Sequence, residues 1–166
     1  MHDAHAFAVR ILSPGEIVAL ARCIMLDVEA FPHASLPFGV PGTRIWVARS
    51  SEHGHLPGSN NAAQVLGFVG GRVHGEAFYI HGLAVTGAAR RQGVGRALVR
   101  ACVARAAAER CGRIALHVGI ANRAAVALYE SEGFEVQRRV RDFYRPGVYP
   151  DRDAYEMVLR SGPAHR

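Results

Sequence analysis

The residues with the clearest capacity for chemistry lie in one glycine-containing turn in the middle of the chain, residues 90–96. Its glycines carry no Cβ, so a ligand can approach the backbone N–H groups closely. A helix predicted over Ala97–Arg110 follows the turn, and its N-terminus would add positive potential, while the neighbouring arginines supply charge-assisted donors. The turn is therefore predicted to bind a phosphate or pyrophosphate of a nucleotide-like cofactor, through Arg90, Arg91, Gln92, Gly93, Val94, Gly95 and Arg96.

Two well-known phosphate-binding motifs do not describe this turn. The dinucleotide-binding motif needs a third glycine that is missing here, and the P-loop needs a lysine, a residue type that this chain lacks altogether. Glycine-rich turns also precede many helices that bind no ligand. On this segment alone, an ordinary turn before a helix remains the alternative to a cofactor site.

A second set of chemically capable side chains lies on two strand-like segments, Phe78–Val85 and Ile114–Val118. Alternate residues of a strand share a face, so Tyr79 is predicted to point the same way as every second residue after it, provided that no bulge intervenes. These residues are His81, Leu83 and Val85. His117 lies between apolar neighbours, where a histidine is usually a hydrogen-bonded core residue. The alternative is a general base, because an imidazole with a pKa near ~6.5 can accept a proton at neutral pH.

The helical segment that follows His117 has ends that its own sequence defines. Asn122 can accept a hydrogen bond from the free N–H groups of the first turn, as N-cap residues do. Gly133 follows the last helical residue, where a left-handed conformation is favoured. Between these ends Ala125, Leu128 and Tyr129 share one face at helical spacing.

Taken together, the glycine turn and the Asn122 helix resemble a known family, the GNAT N-acetyltransferases, over residues 6–160. Two motifs of that family are present in order: Arg90-x-x-Gly93-x-Gly95, and then Asn122, Ala125, Leu128-Tyr129 and Gly133-Phe134. The resemblance implies an α/β fold in which helices flank a mixed, mostly antiparallel sheet. It also implies acetyl-CoA as co-substrate, with direct attack by a primary amine and no acetyl-enzyme.

The resemblance assigns roles within the cofactor site. The backbone of Leu83, Ala84 and Val85 would contact the pantetheine arm and the acetyl group, and the turn at 90–96 would hold the pyrophosphate. Asn122 and Ala125 would complete the site. Tyr129 would act as the general acid that protonates the coenzyme A sulfur; apart from the resemblance, it is also explained as a tyrosine that covers apolar surface.

One branch of the family, the protein N-terminal acetyltransferases, is the most similar in its motifs. There a tyrosine and a histidine at the positions of Tyr79 and His117 relay the amine proton through water. The ribosomal-protein alanine acetyltransferases usually carry a glutamate at the position of His117, so this chain departs from that sub-branch. The resemblance implies that Tyr79, His117 and Tyr129 are the catalytic residues.

The same branch implies an acceptor site. Phe31-Pro32 resembles the turn that walls the peptide slot, and the Phe143-Tyr144 pair resembles the aromatic residues that cover the incoming N-terminus, although the segment also fits a simple hairpin loop. The implied acceptor is a protein N-terminus; the alternatives are a small amine (polyamine, amino acid or aminoglycoside) and a non-catalytic coenzyme A-binding regulatory domain. The predicted substrate-binding residues are Phe31, Pro32, His81, Phe143 and Tyr144.

The elements that must position these residues are predicted in the order β-α-β-β-β-α-β-α-β-β, as one domain over residues 1–166 with a flexible tail at 161–166. A capping box at Ser13–Glu16 begins the first helix, whose apolar stripe is Ile17, Leu20, Ala21, Ile24 and Val28. Residues Arg72–Glu76 are predicted to continue into the Phe78–Val85 strand. The remaining strands are predicted at Phe7–Ile11, Ile45–Ala48, Val65–Val69, Ile114–Val118, Glu135–Val140 and Ala154–Leu159.

Composition limits the classes of partner. The formal net charge of +6 is carried by arginine alone and suits a polyanionic cofactor; because no basic block or basic-aromatic repeat is present, no nucleic-acid partner is predicted. No targeting pattern and no apolar run of membrane-spanning length appear, which predicts a cytoplasmic protein without a membrane partner. The expected assembly is a monomer or a homodimer.

Cysteine and histidine usage completes the picture. Cys23, Cys102 and Cys111 are odd in number and form no CxxC pair, so they are predicted to be reduced thiols, with Cys102 in the core. His53 and His55 lie in a glycine- and serine-rich loop without acidic or cysteine ligands nearby. They are predicted to be solvated rather than to bind a metal.

Overall fold

Apolar alternation and helical periodicity build the strands and helices of this chain, as seen in a computed structural model that describes residues 7–13, 15–30, 41–50, 64–146 and 151–160. The helices in these ranges are α1 (Ile17–Ala30), α2 (Val94–Ala108) and α3 (Arg123–Ser131). The strands are β1 (Phe7–Ile11), β2 (Arg44–Ser50), β3 (Val65–His74), β4 (Ala77–Val85), β5 (Arg113–Gly119), β6 (Glu135–Val140) and β7 (Ala154–Arg160).

The strands form one sheet in the order β1-β2-β3-β4-β5-β7-β6. Neighbouring strands are antiparallel except for β4 and β5, which are parallel and are connected by α2. Parallel neighbours need a crossover of this kind, because a tight turn reverses the chain direction. The prediction of a mixed, mostly antiparallel sheet flanked by helices is confirmed.

Apolar side chains cover both faces of the sheet. On one face, here called the α2 side, Phe78 and Ile80 of β4 pack with Leu98 of α2 and Tyr129 of α3. On the other face, the α1 side, a smaller cluster is formed by the buried side chains of Ala19, Cys23, Val47, Val65, Phe68 and Ala84. A strand residue can therefore be assigned to a side by the cluster it joins.

The Ser13 N–H donates to a carboxylate oxygen of Glu16 at 2.9 Å, as in one half of the predicted capping box. The helix nevertheless begins at Ile17, after the box and not within it as predicted. The predicted apolar stripe is wrong where it can be examined. Cys23 is buried, whereas Ala21 and Ile24 are exposed. The face of α1 that carries the small residues Ala19 and Cys23 is the one that packs in the α1-side cluster.

Two other boundaries differ from the prediction. Residues 72–74 extend β3 instead of leading into β4, because the chain reverses at Gly75, whose φ of 59° suits the first position of a two-residue hairpin turn. Helix α2 spans Val94–Ala108 instead of Ala97–Arg110. Its N-cap is Gly93, so the glycine turn is the beginning of the helix itself.

Candidate active site

The parallel strands β4 and β5 separate part of the way along the sheet. They pair from Ala77 opposite Arg113 to Ile80 opposite Leu116, and the pairing ends there. Strand β4 nevertheless continues to Val85 and β5 to Gly119. The two strand ends therefore leave an opening in the sheet between residues 81–85 and 117–119, called here the strand opening.

Backbone groups of β4 line the strand opening. The N–H of Thr86 donates to the carbonyl oxygen of Leu66 on β3 at 2.9 Å. Successive residues of a strand direct their N–H and C=O groups to opposite neighbours, so Leu83 and Val85 direct theirs away from β3 and into the opening. The Arg90 Nε donates to the Val85 carbonyl at 3.4 Å, which shows that this edge is accessible to the turn at 90–96.

The predicted common face for Tyr79, His81, Leu83 and Val85 is wrong. Gly70 pairs with Gly82 while Gly71 pairs with Ile80, so His81 is an extra residue in β4 and forms a bulge. The bulge reverses the alternation beyond it. Leu83 and Val85 consequently pack on the α2 side, whereas Tyr79, between Phe78 and Ile80, points to the α1 side.

Tyr79 and His117 do lie on the same face of neighbouring strands. The neighbours of His117, Leu116 and Val118, both join the α2-side cluster, so the imidazole points to the α1 side. Tyr79 pairs with Ala115, which places His117 one same-face position further along β5, at the strand opening. Two positions along a strand correspond to about 6.6 Å.

The surroundings of His117 favour its neutral form. Its ring stacks on that of Phe143, with centroids 4.3 Å apart and the planes inclined by 13°. Partial burial lowers the pKa of His117 below its ordinary value of 6.5, and the positive charge of Arg138 lowers it further. The negative charge of Glu156, which is opposite His117 in the register, raises it and so opposes both effects. A neutral imidazole at neutral pH can accept a proton.

His81 lies at the mouth of the strand opening and is exposed. Partial desolvation lowers the pKa of His81, and the positive charge of Arg72 is the second cause. Nearby, the His74 ring meets that of Tyr79 edge to face, with centroids 6.2 Å apart. The α1 side of the opening thus carries several aromatic rings able to bind or transfer protons.

The connection between β6 and β7 supplies the ring that covers His117. Phe143 and Tyr144 meet edge to face, with centroids 5.0 Å apart. The Tyr144 N–H donates to the Arg152 carbonyl at 2.9 Å, and the Arg152 Nε donates back to the Tyr144 carbonyl at 3.2 Å. Phe143 and Tyr144, predicted to cover the acceptor, are therefore held beside His117 by one backbone hydrogen bond and one hydrogen bond from the Arg152 side chain.

The turn before α2 leaves its backbone donors available. Gly93, at φ 82°, is the N-cap of α2 and provides no side chain to cap the helix, so the first N–H groups lack an intrahelical partner. A Cβ on Gly95 would lie 3.2 Å from Leu128 of α3, which explains why a glycine fits there. Arg90 and Arg91 are exposed beside these donors.

Arg96 differs from the other arginines of the turn. Its Nε pairs with a carboxylate oxygen of Glu132 at 2.9 Å, and Arg100 pairs with the same carboxylate at 2.8 Å. This ion pair links α2 to the end of α3. The Arg96 side chain is thus engaged within the protein. Two other side chains of the turn also have partners, since Arg90 donates to the Val85 carbonyl and Gln92 donates to the Ala88 carbonyl at 2.7 Å.

Tyr129 lies on the α2 side of the strand opening. Only 6% of the residue is exposed, and its ring meets that of Phe134 at a centroid distance of 5.6 Å. Burial, and secondarily the neighbouring Cys102 and Tyr144, raise the pKa of Tyr129 well above its ordinary value. The hydroxyl therefore stays protonated at neutral pH, as a general acid requires.

Local sequence explains how α3 holds Tyr129. The Asn122 side chain accepts a hydrogen bond from the Ala125 N–H at 3.2 Å, which confirms Asn122 as the N-cap. Gly133 has a φ of 87°, and the Phe134 N–H bonds to the Tyr129 carbonyl at 3.0 Å. Both ends of the helix agree with the prediction.

One polar residue at this site was missed from the sequence. Arg72 is half-buried on β3, and its Nε is buried without a hydrogen-bond partner. The signal that could have found it is an arginine inside an otherwise apolar and glycine-rich strand, VLGFVGGRVH. Of the predicted residues, Phe31 and Pro32 lie outside the described residues, as do His53 and His55.

Other predicted features concern metals, membranes and thiols. Within the described ranges, no group of three or more His, Cys, Asp or Glu side chains is arranged to hold a metal ion. No described helix is long and apolar enough to cross a membrane. Cys23, Cys102 and Cys111 are free and buried, and burial raises the pKa of Cys23 to about 11.

Comparison with known proteins adds independent findings. Residues 25–134 match the acetyltransferase (GNAT) family. The chain is similar to the N-alpha-acetyltransferase RimI of Mycobacterium tuberculosis, with 33% identity over 117 residues, which are 68% of this chain and 70% of that protein.

Solved structures show the same fold. The ribosomal-protein-S18-alanine N-acetyltransferase from Escherichia coli aligns with a TM-score of 0.72 and 22% identity, covering 95% of this chain and 97% of that one. Arabidopsis thaliana NAA60, in complex with a bisubstrate analogue, aligns with a TM-score of 0.76 and 20% identity, covering 95% and 100% of the two chains.

Proposed function

The chain belongs to the GNAT family of acetyltransferases, and from this premise we propose that it transfers an acetyl group from acetyl-CoA to the amino terminus of a peptide or protein. The observation that carries the proposal is the strand opening. It has a backbone edge without a partner strand, a protonated tyrosine on the α2 side and a neutral histidine beside a tyrosine on the α1 side.

The α2 side of the opening suits acetyl-CoA. The uncapped N–H groups at Gly93 and the exposed Arg90 and Arg91 can bind a pyrophosphate. From there the free edge of Leu83 and Val85 leads into the opening, where backbone groups can hydrogen-bond the amides of a pantetheine arm. The positive net charge of +6 favours a ligand with three phosphates.

The chemistry follows from the placement of the titratable groups. His117, assisted by Tyr79, takes a proton from the ammonium group of the acceptor. The amine nitrogen then attacks the thioester carbon and the N–C bond forms. As the C–S bond breaks, Tyr129 gives its proton to the departing sulfur, and the nitrogen loses its second proton to solvent, from which Tyr129 is reprotonated. Backbone N–H groups of β4 at the opening stabilise the negative charge on the carbonyl oxygen.

A peptide acceptor is supported by two observations. The relative from Mycobacterium tuberculosis, one third identical to this chain, is an N-alpha-acetyltransferase by name. In addition, Phe143 stacks on His117 at the α1 side of the opening and Tyr144 meets Phe143 edge to face, so an extended peptide could lie against this aromatic pair. A small amine would leave most of this aromatic surface uncovered.

The test is an acetylation assay with two sets of acceptors. The protein is incubated with acetyl-CoA and either short peptides of varied first residue or small amines, and CoA thiol release is followed together with the mass of the acceptor. The expected result is acetylation of peptides that stops when their N-terminus is blocked. Turnover on small amines alone would reject the peptide acceptor and keep the family activity.

A further inference from the structure

Arg72 shares the face of the sheet that carries the candidate proton-transfer residues. The register of β3 and β4 places Arg72 opposite Tyr79. The preceding residue, Gly71, faces the α2 side, because a Cβ there would lie 2.5 Å from a ring carbon of Phe78. Arg72 therefore points to the α1 side, and side chains in opposite positions of two strands lie about 5 Å apart at Cβ.

The guanidinium of Arg72 lacks a counter-ion within the described part of the chain. Its Nε is buried and has no hydrogen-bond partner. The Nε of Arg49 is also buried without a partner, but Arg49 has a counter-ion in Glu16 at 2.6 Å, and Arg139 has one in Asp153 at 2.6 Å. A half-buried cation without a partner is destabilising, so the position favours a ligand that supplies an anion.

Arg72 lies beside the strand opening. His81, the bulged residue at its mouth, lies next to the Gly70–Gly71 step of β3 and two residues after Tyr79, the partner of Arg72; the Arg72 charge also lowers the pKa of His81. His117 lies across the same opening on β5. If an acceptor amine is held near His117, the Arg72 guanidinium can therefore contact groups of the acceptor that lie close to that amine.

From this arrangement we propose that Arg72 binds a carboxylate of the acceptor, so that the enzyme prefers amines with a carboxylate close by. The proposal rests on the proposed acetyl transfer to an amine and adds the class of acceptor. A guanidinium can form two parallel hydrogen bonds to a carboxylate, which fixes both its distance and its orientation. In a peptide, the carboxylate belongs to an acidic side chain in the first or second position; in a free amino acid, it is the α-carboxylate.

The experiment compares matched acceptors. Peptides that begin with Asp or Glu are paired with peptides that begin with Asn or Gln, and a second series places the same residues after an alanine. Free aspartate and its amides form a third arm. For the unmodified protein, the expected kcat/KM is about 10- to 100-fold higher for the acidic member of at least one pair, in line with a hydrogen bond to a charged group.

Two variants assign that preference to Arg72. Arg72→Gln is expected to remove it by lowering kcat/KM for acidic acceptors to the level of the neutral ones, while neutral acceptors change less than about threefold. Arg72→Lys should keep part of the preference, because the charge remains and the paired geometry is lost. Arg22→Gln, at an exposed position of α1, is the control with the same change of net charge.

The outcomes separate this proposal from the proposed function. Equal kcat/KM for acidic and neutral acceptors, with acetylation intact, overturns the role of Arg72 alone. A uniform loss in Arg72→Gln with the acidic-to-neutral ratio unchanged also overturns it, since it indicates a structural role. If no acceptor is acetylated, the proposed function fails, and calorimetric titration of the paired peptides into CoA-loaded protein still decides whether Arg72 selects acidic ligands.

Discussion

The imidazole of His117 and the ring of Phe143 form a parallel stack, with centroids 4.3 Å apart and planes 13° from parallel. His117 is on β5, whereas Phe143 belongs to the connection between β6 and β7, so the stack joins the sheet to that connection. Phe143 is itself 43% exposed, and it shields one face of the imidazole from water. Desolvation is the largest cause of the lowered His117 pKa.

Phe143→Ala should therefore raise the pKa of His117 toward its ordinary value, because water regains access to the ring. A base must be deprotonated to act, so activity is present above the pKa and is lost as the pH falls through it. The acid limb of the pH profile of kcat/KM is expected to move to higher pH. Phe143→Tyr keeps the stacked ring and serves as the control; an unshifted limb in Phe143→Ala would contradict the role of the stack.

His117→Gln should remove the acid limb itself. The side chain keeps a similar size but cannot accept the amine proton, and general base catalysis contributes about 10²- to 10⁴-fold. We expect kcat to fall by about 10²-fold or more at neutral pH, with the Kd for CoA unchanged, measured by steady-state kinetics and calorimetry. An acid limb that persists in this variant would assign the titration to another group.

Tyr129→Phe should lower kcat by about 10²-fold, because the departing sulfur loses its proton donor. Since the Tyr129 pKa is raised by burial, no basic limb from this hydroxyl is expected in the unmodified enzyme at neutral or mildly basic pH. Tyr155→Phe, at a half-buried position of β7, is the matched control and should retain full activity. Comparable losses in both variants would argue against a special role for Tyr129.

Gly93→Ala should destabilise the protein by about 1–2 kcal/mol, because residue 93 has a φ of 82° and L-residues with a Cβ are strained there. Apart from its chain neighbours, no atom of the described residues lies within 4 Å of the Cβ that would be added, so the cost comes from the backbone conformation and not from a clash. Asn tolerates this conformation better. The Tm should therefore be highest with glycine at position 93, lower with asparagine and lowest with alanine. Equal Tm values would show that the turn adopts another conformation.

The thiols should be unreactive in the folded protein. All three cysteines are buried, and the pKa of Cys23 is raised to about 11, so little thiolate is present at pH 8. A disulfide reagent such as DTNB is expected to label the native protein slowly and to reveal three thiols after unfolding. Rapid labelling of the native protein would contradict the burial of these residues.

The sequence predicted best the features that depend on a few neighbouring residues. Asn122 and Gly133 mark the ends of α3 through their own hydrogen bonding and φ preference, and the structure confirms both. Gly93 likewise marks the beginning of α2, although the helical pattern alone placed that beginning three residues late. The strand order required the resemblance to a family, since pairing between distant strands has no local signal.

Features that arise between strands were not predictable in this way. The bulge at His81 results from the pairing of β3 with β4, and it moved Leu83 and Val85 to the face opposite that of Tyr79. The buried face of α1 carries Ala19 and Cys23, whereas Ile24 of the predicted apolar stripe is exposed, because packing on the sheet decides which face is covered. Arg72 was overlooked because its importance depends on Tyr79 and His81, which come close to it only in the folded sheet.

The separation of β4 and β5 has a kinetic consequence. A hydrogen-bonded sheet normally keeps molecules on its two faces apart, and here that barrier is interrupted over only a few residues. In the proposed reaction the two substrates would enter from opposite faces, meet within the sheet and leave without passing each other. Neither product then has to depart before the second substrate arrives, so both substrates can be bound at the same time in a ternary complex. A single molecule that joins both substrates would extend through the sheet and bind more tightly than either part.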